Sequence, residues 1–162
     1  MVEQGEYDRW ERVVAELQRE IEEKERALYS AKVLQQARNP QYLARMEAPD
    51  AQAVVTGWCG DTMEIYLRLN GTAIQGATFM TDGCSPSVAC GNMLATMVQA
   101  MTLDEATEVQ PEDLILALDG LPEENSHCAQ LAVDTLRQAI ANIDRNTRCE
   151  TDERDRLEDD DR

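Results

Sequence analysis

Apolar residues recur every three or four positions from Tyr7 to about Gln36, at Trp10, Val13, Val14, Leu17, Ile21 and Leu28, with Glu and Arg filling the other face. That period predicts an amphipathic helix, packed on its own domain or on a second copy, with a docking helix for another protein as the alternative. The stripe is interrupted near Arg26–Ser30, which predicts a break there, and Asn39-Pro40 ends the helix because a residue before proline is pushed out of helical geometry. Residues Gln41–Ala53 carry few signals and read as a loop. From Ala53 to Thr56 a short strand is expected, and then the period changes. Met63, Ile65, Leu67 and Leu69 alternate with Thr62, Glu64, Tyr66 and Arg68, the pattern of a half-buried strand. Asn70-Gly71 predicts a hairpin, with a return strand over about Thr72–Thr81 and Gly76 marking a bulge.

Helical periodicity then returns. Ser85-Pro86 resembles a helix start, with serine as cap and proline in the first turn, and the apolar face Val88, Leu94, Met97, Val98, Met101 carries it to about Met101. The methionines there read as core filler. Thr102–Glu105 opens a short capped helix, and Gln110-Pro111 opens another that stops at Gly120. Asn125 or Ser126 caps a long helix bearing Leu131, Ala132, Leu136, Ile140 and Ile143. After Asn146 the chain is nearly all Asp, Glu and Arg, which predicts disorder. The fold class that follows is α+β, an antiparallel three-stranded sheet with helices on one face. Residues 1–27 form an N-terminal amphipathic extension, 28–146 the domain, and 147–162 an acidic tail.

Charge narrows the partners. The formal net charge is -17, and the middle of the chain is itself acidic, with fifteen Asp and Glu against six Lys and Arg between residues 28 and 146. Nucleic acid and anionic membrane both need a basic footprint, so neither is expected. No apolar run approaches the roughly 18 residues of a membrane helix, and the first residues lack a signal-peptide layout. A cytoplasmic protein is expected. Its five cysteines, an odd number, then read as thiols or metal ligands instead of disulfides.

The candidate chemistry gathers on three cysteines at element junctions. Cys59 lies in the glycine-bracketed loop Gly57-Trp58-Cys59-Gly60-Asp61, Cys84 between strand and helix, and Cys128 beside His127, the only histidine. None belongs to a C-x-x-C pair, which argues against a zinc ribbon or a thioredoxin-like dithiol. Predicted helix N-termini at Cys84 and Cys128 favour thiolate and would stabilise an anionic cluster between them. Thiolates select zinc, copper(I) or iron–sulfur clusters, imidazole suits several of these, and the hard carboxylate of Asp61 suggests exchangeable coordination. The plain alternative is three buried structural thiols and a surface histidine. Cys90, six residues after Cys84 on the helix, reads as a buried small residue, and Cys149 as an incidental thiol.

From Tyr29-Ser30 to about Ile143 the chain resembles the IscU/NifU-type iron–sulfur cluster assembly scaffolds. The resemblance is carried, in order, by Asn39-Pro40, Cys59-Gly60-Asp61 and its hairpin, Gly83-Cys84, Thr102-Leu103-Asp104-Glu105-Ala106, Leu121-Pro122, and His127-Cys128 before Leu131-Ala132. It implies a NifU N-terminal-domain-like fold and a scaffold, not an enzyme, in which Cys59, Cys84 and Cys128 ligate a transient [2Fe–2S] cluster. Asp61 and His127 would be further ligands, and Cys128 the sulfur acceptor. It also implies iron as cargo, a pyridoxal-phosphate cysteine desulfurase as sulfur donor and apo iron–sulfur proteins as recipients. The family's Leu-Pro-Pro-Val-Lys segment for a dedicated chaperone is here Leu121-Pro122-Glu123-Glu124-Asn125, a departure in the residues that such a partner recognises. Gly83-Cys84-Ser85-Pro86 replaces the usual Gly-Cys-Gly and stiffens the loop. The alternative on the same fold is a zinc-bound, SufU-like sulfur acceptor. That subgroup has a long insertion between its second and third cysteines and generally lacks the histidine, whereas Cys84 to Cys128 is compact here and His127 is present. Zinc could still occupy the site in purified protein.

Overall fold

Alternation along the second strand sets the sheet. The computed structural model describes the backbone of residues 4–159 and the side chains of 7–143. Strand β1 is Ala51–Thr56, β2 Thr62–Asn70 and β3 Ala73–Thr81, paired antiparallel in the order β1-β2-β3. Met63, Ile65 and Leu67 point inward, opposite Thr81, Phe79 and Ala77, while Ala53 and Ala51 continue that face on β1. Ile74 and Ala77 also point inward although three apart, an odd interval. A register shift between Arg68 and Leu69 absorbs the extra residue beside Gly76, so the bulge keeps both side chains in the core. The hairpin loop is Gly71-Thr72, one residue later than the Asn-Gly signal suggested, with Asn70 already paired to Ala73.

Helices cover the inward face. α1 is Gln4–Leu28, α2 Ala31–Arg38, α3 Ser85–Met97, α4 Leu103–Glu108, α5 Pro111–Ala117 and α6 Ser126–Asp159. The break between α1 and α2 falls where expected, because the Ser30 hydroxyl accepts from the Val33 amide at 3.0 Å and restarts the helix as its cap. α3 packs on β3, and α6 on β1 and β2. Asn92 of α3, buried, accepts from the Tyr42 amide at 3.0 Å and donates to Gln36, tying α2 and the following loop to the core. That loop is more ordered than its sequence suggested: Leu43 bridges Phe79 in parallel, with Phe79 N–H to Tyr42 C=O at 2.9 Å and Ala44 N–H to Phe79 C=O at 3.0 Å.

Several boundaries differ from expectation. α3 is capped by Cys84, not Ser85, and stops at Met97 instead of Met101. Ala100, at φ 64°, turns the chain so that Ile74 can exchange backbone bonds with Ala100 and Met101. α6 is entered through a 3-10 turn, Glu123–Asn125, and the Ser126 hydroxyl donates to Glu123 C=O at 2.8 Å instead of capping the new helix. Helical backbone runs on through 147–159, with no glycine or proline after Pro122 to stop it. Residues 1–3 and 160–162, and the side chain of Cys149, lie outside the described residues. Among the described residues no helix is long and apolar enough to cross a membrane.

Candidate functional site

Three of the five expected ligands meet at one hydroxyl. Ser87, in the first turn of α3 and fully buried, places Oγ 3.3 Å from Cys128 Sγ, 3.1 Å from Asp61 Oδ2 and 3.7 Å from Cys84 Sγ. Asp61 comes from the end of the β1–β2 loop, Cys84 from the cap of α3 and Cys128 from the first turn of α6. A serine hydroxyl carries one proton, so it donates to Asp61 or to Cys128 at any instant, not to both. Gly83 makes this closeness possible. A Cβ there would lie 2.6 Å from Asp61 Oδ2 and 2.6 Å from Ser87 Oγ, well inside van der Waals contact.

Cys59 and His127 stand outside this hub but are joined to each other's elements. The Cys59 loop is closed by Gly57 N–H to Asp61 C=O at 2.8 Å and packs Gly57 against Leu131 of α6. Trp58, 85% exposed, meets the His127 ring edge-on at a centroid distance of 5.1 Å. Glu112, Glu123 and Glu124 surround the outer side of this pair, lining a cleft of about 510 Å³ with Ile115 and Gln130. Tyr29, at the α1–α2 junction, is half-buried, and its phenol is pushed up, first by burial and then by the charge of Cys84, with smaller contributions from Glu124 and Cys128.

The expected thiolate at Cys128 is not what the fold favours. Cys128 has no exposed surface, and burial pushes its thiol up to about 12, against the lowering effect of the Ser87 hydrogen bond and with Cys84 adding to the rise. A helix N-terminus offsets only part of such a desolvation penalty, because its field is worth little beyond the first turn. Cys90 is buried as expected, and its thiol is raised by burial first, then by Cys128 and Cys84. Cys59 and Cys84 are exposed. Native-state alkylation at neutral pH should therefore modify Cys59 and Cys84 within the time that leaves Cys90 and Cys128 intact; peptide mass mapping with and without denaturant checks the order. A thiol held neutral in the fold but free to ionise when unfolded also makes stability fall as pH rises from about 9 towards 12. Denaturation midpoints at pH 8 and pH 10 measure that slope.

Among the described residues, no three His, Cys, Asp or Glu side chains converge closely enough to hold a metal ion as they stand. The arrangement is a closed one, with Cys128 and Asp61 satisfied by Ser87. Cysteine sulfur, carboxylate and imidazole, the donor types gathered at this end of the domain, suit zinc or iron with sulfide. The sequence reading missed Ser87, which sits three residues after Cys84 at a helix start and carries no chemical signature of its own. Burial of Cys128 entered that reading only as the plain alternative, although 128, 131, 132, 135, 136 and 139 share one helical face and are all buried.

Residues 28–150 match the family model described as NifU-like N terminal domain. The chain is 35% identical over 114 residues to an iron-sulfur cluster assembly scaffold protein IscU from Archaeoglobus fulgidus, covering 70% of this chain and 74% of that one. It is 31% identical over 118 residues to IscU of Escherichia coli, covering 70% of this chain and 91% of the other. Among solved structures, the N-terminal part of a NifU-like protein from Brucella abortus superposes with a TM-score of 0.58 at 20% identity, over 72% of this chain and 94% of that chain, which speaks to the fold. The fold, the order of the thiol-bearing junctions and these matches agree: the chain belongs to the NifU-like N-terminal domain family.

Proposed function

We propose that this chain is a scaffold on which iron–sulfur clusters are assembled and from which they are passed on. The observation that carries the reading is the meeting of Cys84, Cys128 and Asp61 on Ser87, with the Cys59 loop and His127 arriving at the same end of the domain. In this reading Cys59, Cys84 and Cys128 ligate the transient [2Fe–2S] cargo, with Asp61 or His127 completing the set. Carboxylate and imidazole bind such iron less tightly than a fourth thiolate, which suits a cluster that must leave. Sulfur arrives as persulfide from a cysteine desulfurase. Cys128 remains the proposed acceptor, and its burial makes release from Ser87 a step that must precede attack, since the thiolate and not the thiol is the nucleophile. The neighbouring Cys84 is already exposed.

Anaerobic reconstitution with ferrous iron, cysteine, a desulfurase and a thiol reductant, which supplies the electrons that take persulfide sulfur to sulfide, tests this. Wild type should develop a visible chromophore with iron and sulfide in equal amount, and Cys84→Ser and Cys128→Ser should each fail to hold it. If both variants reached the wild-type level, the ligand assignment would be wrong. Bound zinc and a persulfide without iron or sulfide would instead favour the zinc-bound sulfur acceptor.

A further inference from the structure

The helix that precedes the domain is built as one half of a coiled coil. Along α1, Tyr7, Trp10, Val14, Leu17, Ile21 and Leu28 follow one another at alternating three- and four-residue steps, once Lys24 is counted in its place between the last two. That is a repeat of seven, the signature of a helix meant to pack along its length against another helix. Yet the seam is open: Trp10 is 65% exposed, Leu17 53% and Ile21 56%. α1 meets the domain mainly at its C-terminal end, through α2 and the Glu25–Arg38 ion pair at 2.7 Å. A lysine on the seam is tolerated because its stem can lie along apolar surface while the ammonium reaches the rim.

The residues flanking the seam say what covers it. On one side stand Glu11, Gln18 and Glu25, on the other Val13, Glu20 and Ala27, and none of the six is basic. The arginines lie on the back of the helix, where Arg12 and Arg19 bond the carbonyls of Asp8 and Ala15 and Arg26 pairs with Glu22. Flanking charges set partner choice in such pairs. A second copy would bring no flanking base to meet these carboxylates, and would add its own net charge of -17. We infer that the seam of α1 docks an amphipathic helix of another protein, one whose apolar stripe is edged by lysine or arginine. This inference does not depend on the cluster-assembly reading. The two bear on each other only in place, because α1 leads straight into Tyr29, beside Cys84 and Cys128.

The test uses the full chain and two synthetic 21-residue helices with the same leucine and isoleucine seam, one carrying lysine at every flanking position and the other glutamate. Fluorescence anisotropy should show the lysine-flanked peptide binding at least about tenfold more tightly, because like charges across an interface are strongly disfavoured. The binding should weaken with salt. Leu17→Glu should abolish it, and the double variant E11K/E20K should reverse the preference. Each variant changes only exposed residues of α1, and circular dichroism checks that the domain is still folded. Equal binding of both peptides, or binding of neither, overturns the inference. So does sedimentation of the wild-type chain as a dimer that Leu17→Glu dissociates, which would assign the seam to a second copy.

Discussion

Replacing Phe79 with alanine is expected to lower the unfolding free energy by about 3–5 kcal/mol, the range for emptying a buried aromatic site. Against the roughly 5–15 kcal/mol that hold a typical domain together, that is a large share. Phe79 is the only phenylalanine in a chain poor in aromatics, and it is fully buried two residues before the end of β3. It pairs with Ile65 across the sheet and makes the backbone bridge to Tyr42 and Ala44. Its ring also lies flat enough on α3 that a Cβ at Gly91 would come within 2.5 Å of Cε2. Gly91→Ala should therefore destabilise by about 1–3 kcal/mol through overpacking, partly offset by the roughly 1 kcal/mol that alanine gains over glycine inside a helix. The two positions should be coupled. Phe79→Leu combined with Gly91→Ala should cost less than the sum of the single changes, because the smaller side chain makes room for the methyl group. Urea denaturation of the four proteins measures the cycle; strict additivity would mean that the close approach carries no energy.

The second large effect is expected at Gly83 and should fall on the site and not on the core. A methyl group there meets Asp61 and Ser87 at 2.6 Å, so both must move, and with them the bonds from Ser87 to Cys84 and Cys128. Residues that orient metal ligands typically cost about 10–100-fold in affinity when disturbed. Gly83→Ala should lower the affinity for zinc, read by competition with a chelating dye, by that order. The denaturation midpoint should change little, since Gly83 lies at the sheet's end and away from Phe79. A variant that bound zinc as wild type does would show that the Asp61–Ser87 contact plays no part in holding a metal.

Much of this architecture was legible as period. Met63, Ile65 and Leu67 announce a strand with one buried face, and Ser30 and Pro40 punctuate the first helices. The thiols were legible by type: Cys59, Cys84 and Cys128 with Asp61 and His127 are unusual company for one another in so short a chain. What escaped notice depended on geometry between distant segments. The Tyr42–Ala44 bridge is three residues long, too short to show a period. Ser87 becomes meaningful only when three other elements deliver their side chains to it. Cys128 was misjudged for a physical reason: reading it as a helix start emphasised the favourable field of the amides, whereas its position on the apolar face of α6 makes desolvation the larger effect.

A three-stranded sheet has two borders, and in this chain each takes at least one bond from outside the sheet. Tyr42–Ala44 lies along the outer side of β3, and on β1 the Asn142 side chain donates to the carbonyl of Gln52 at 2.9 Å, filling a position that an added strand would need. Unpaired borders are the usual template on which copies of a protein stack into insoluble ribbons. With one short bridge along β3 and a single amide on β1, the sheet leaves fewer free backbone groups for another chain to pair with.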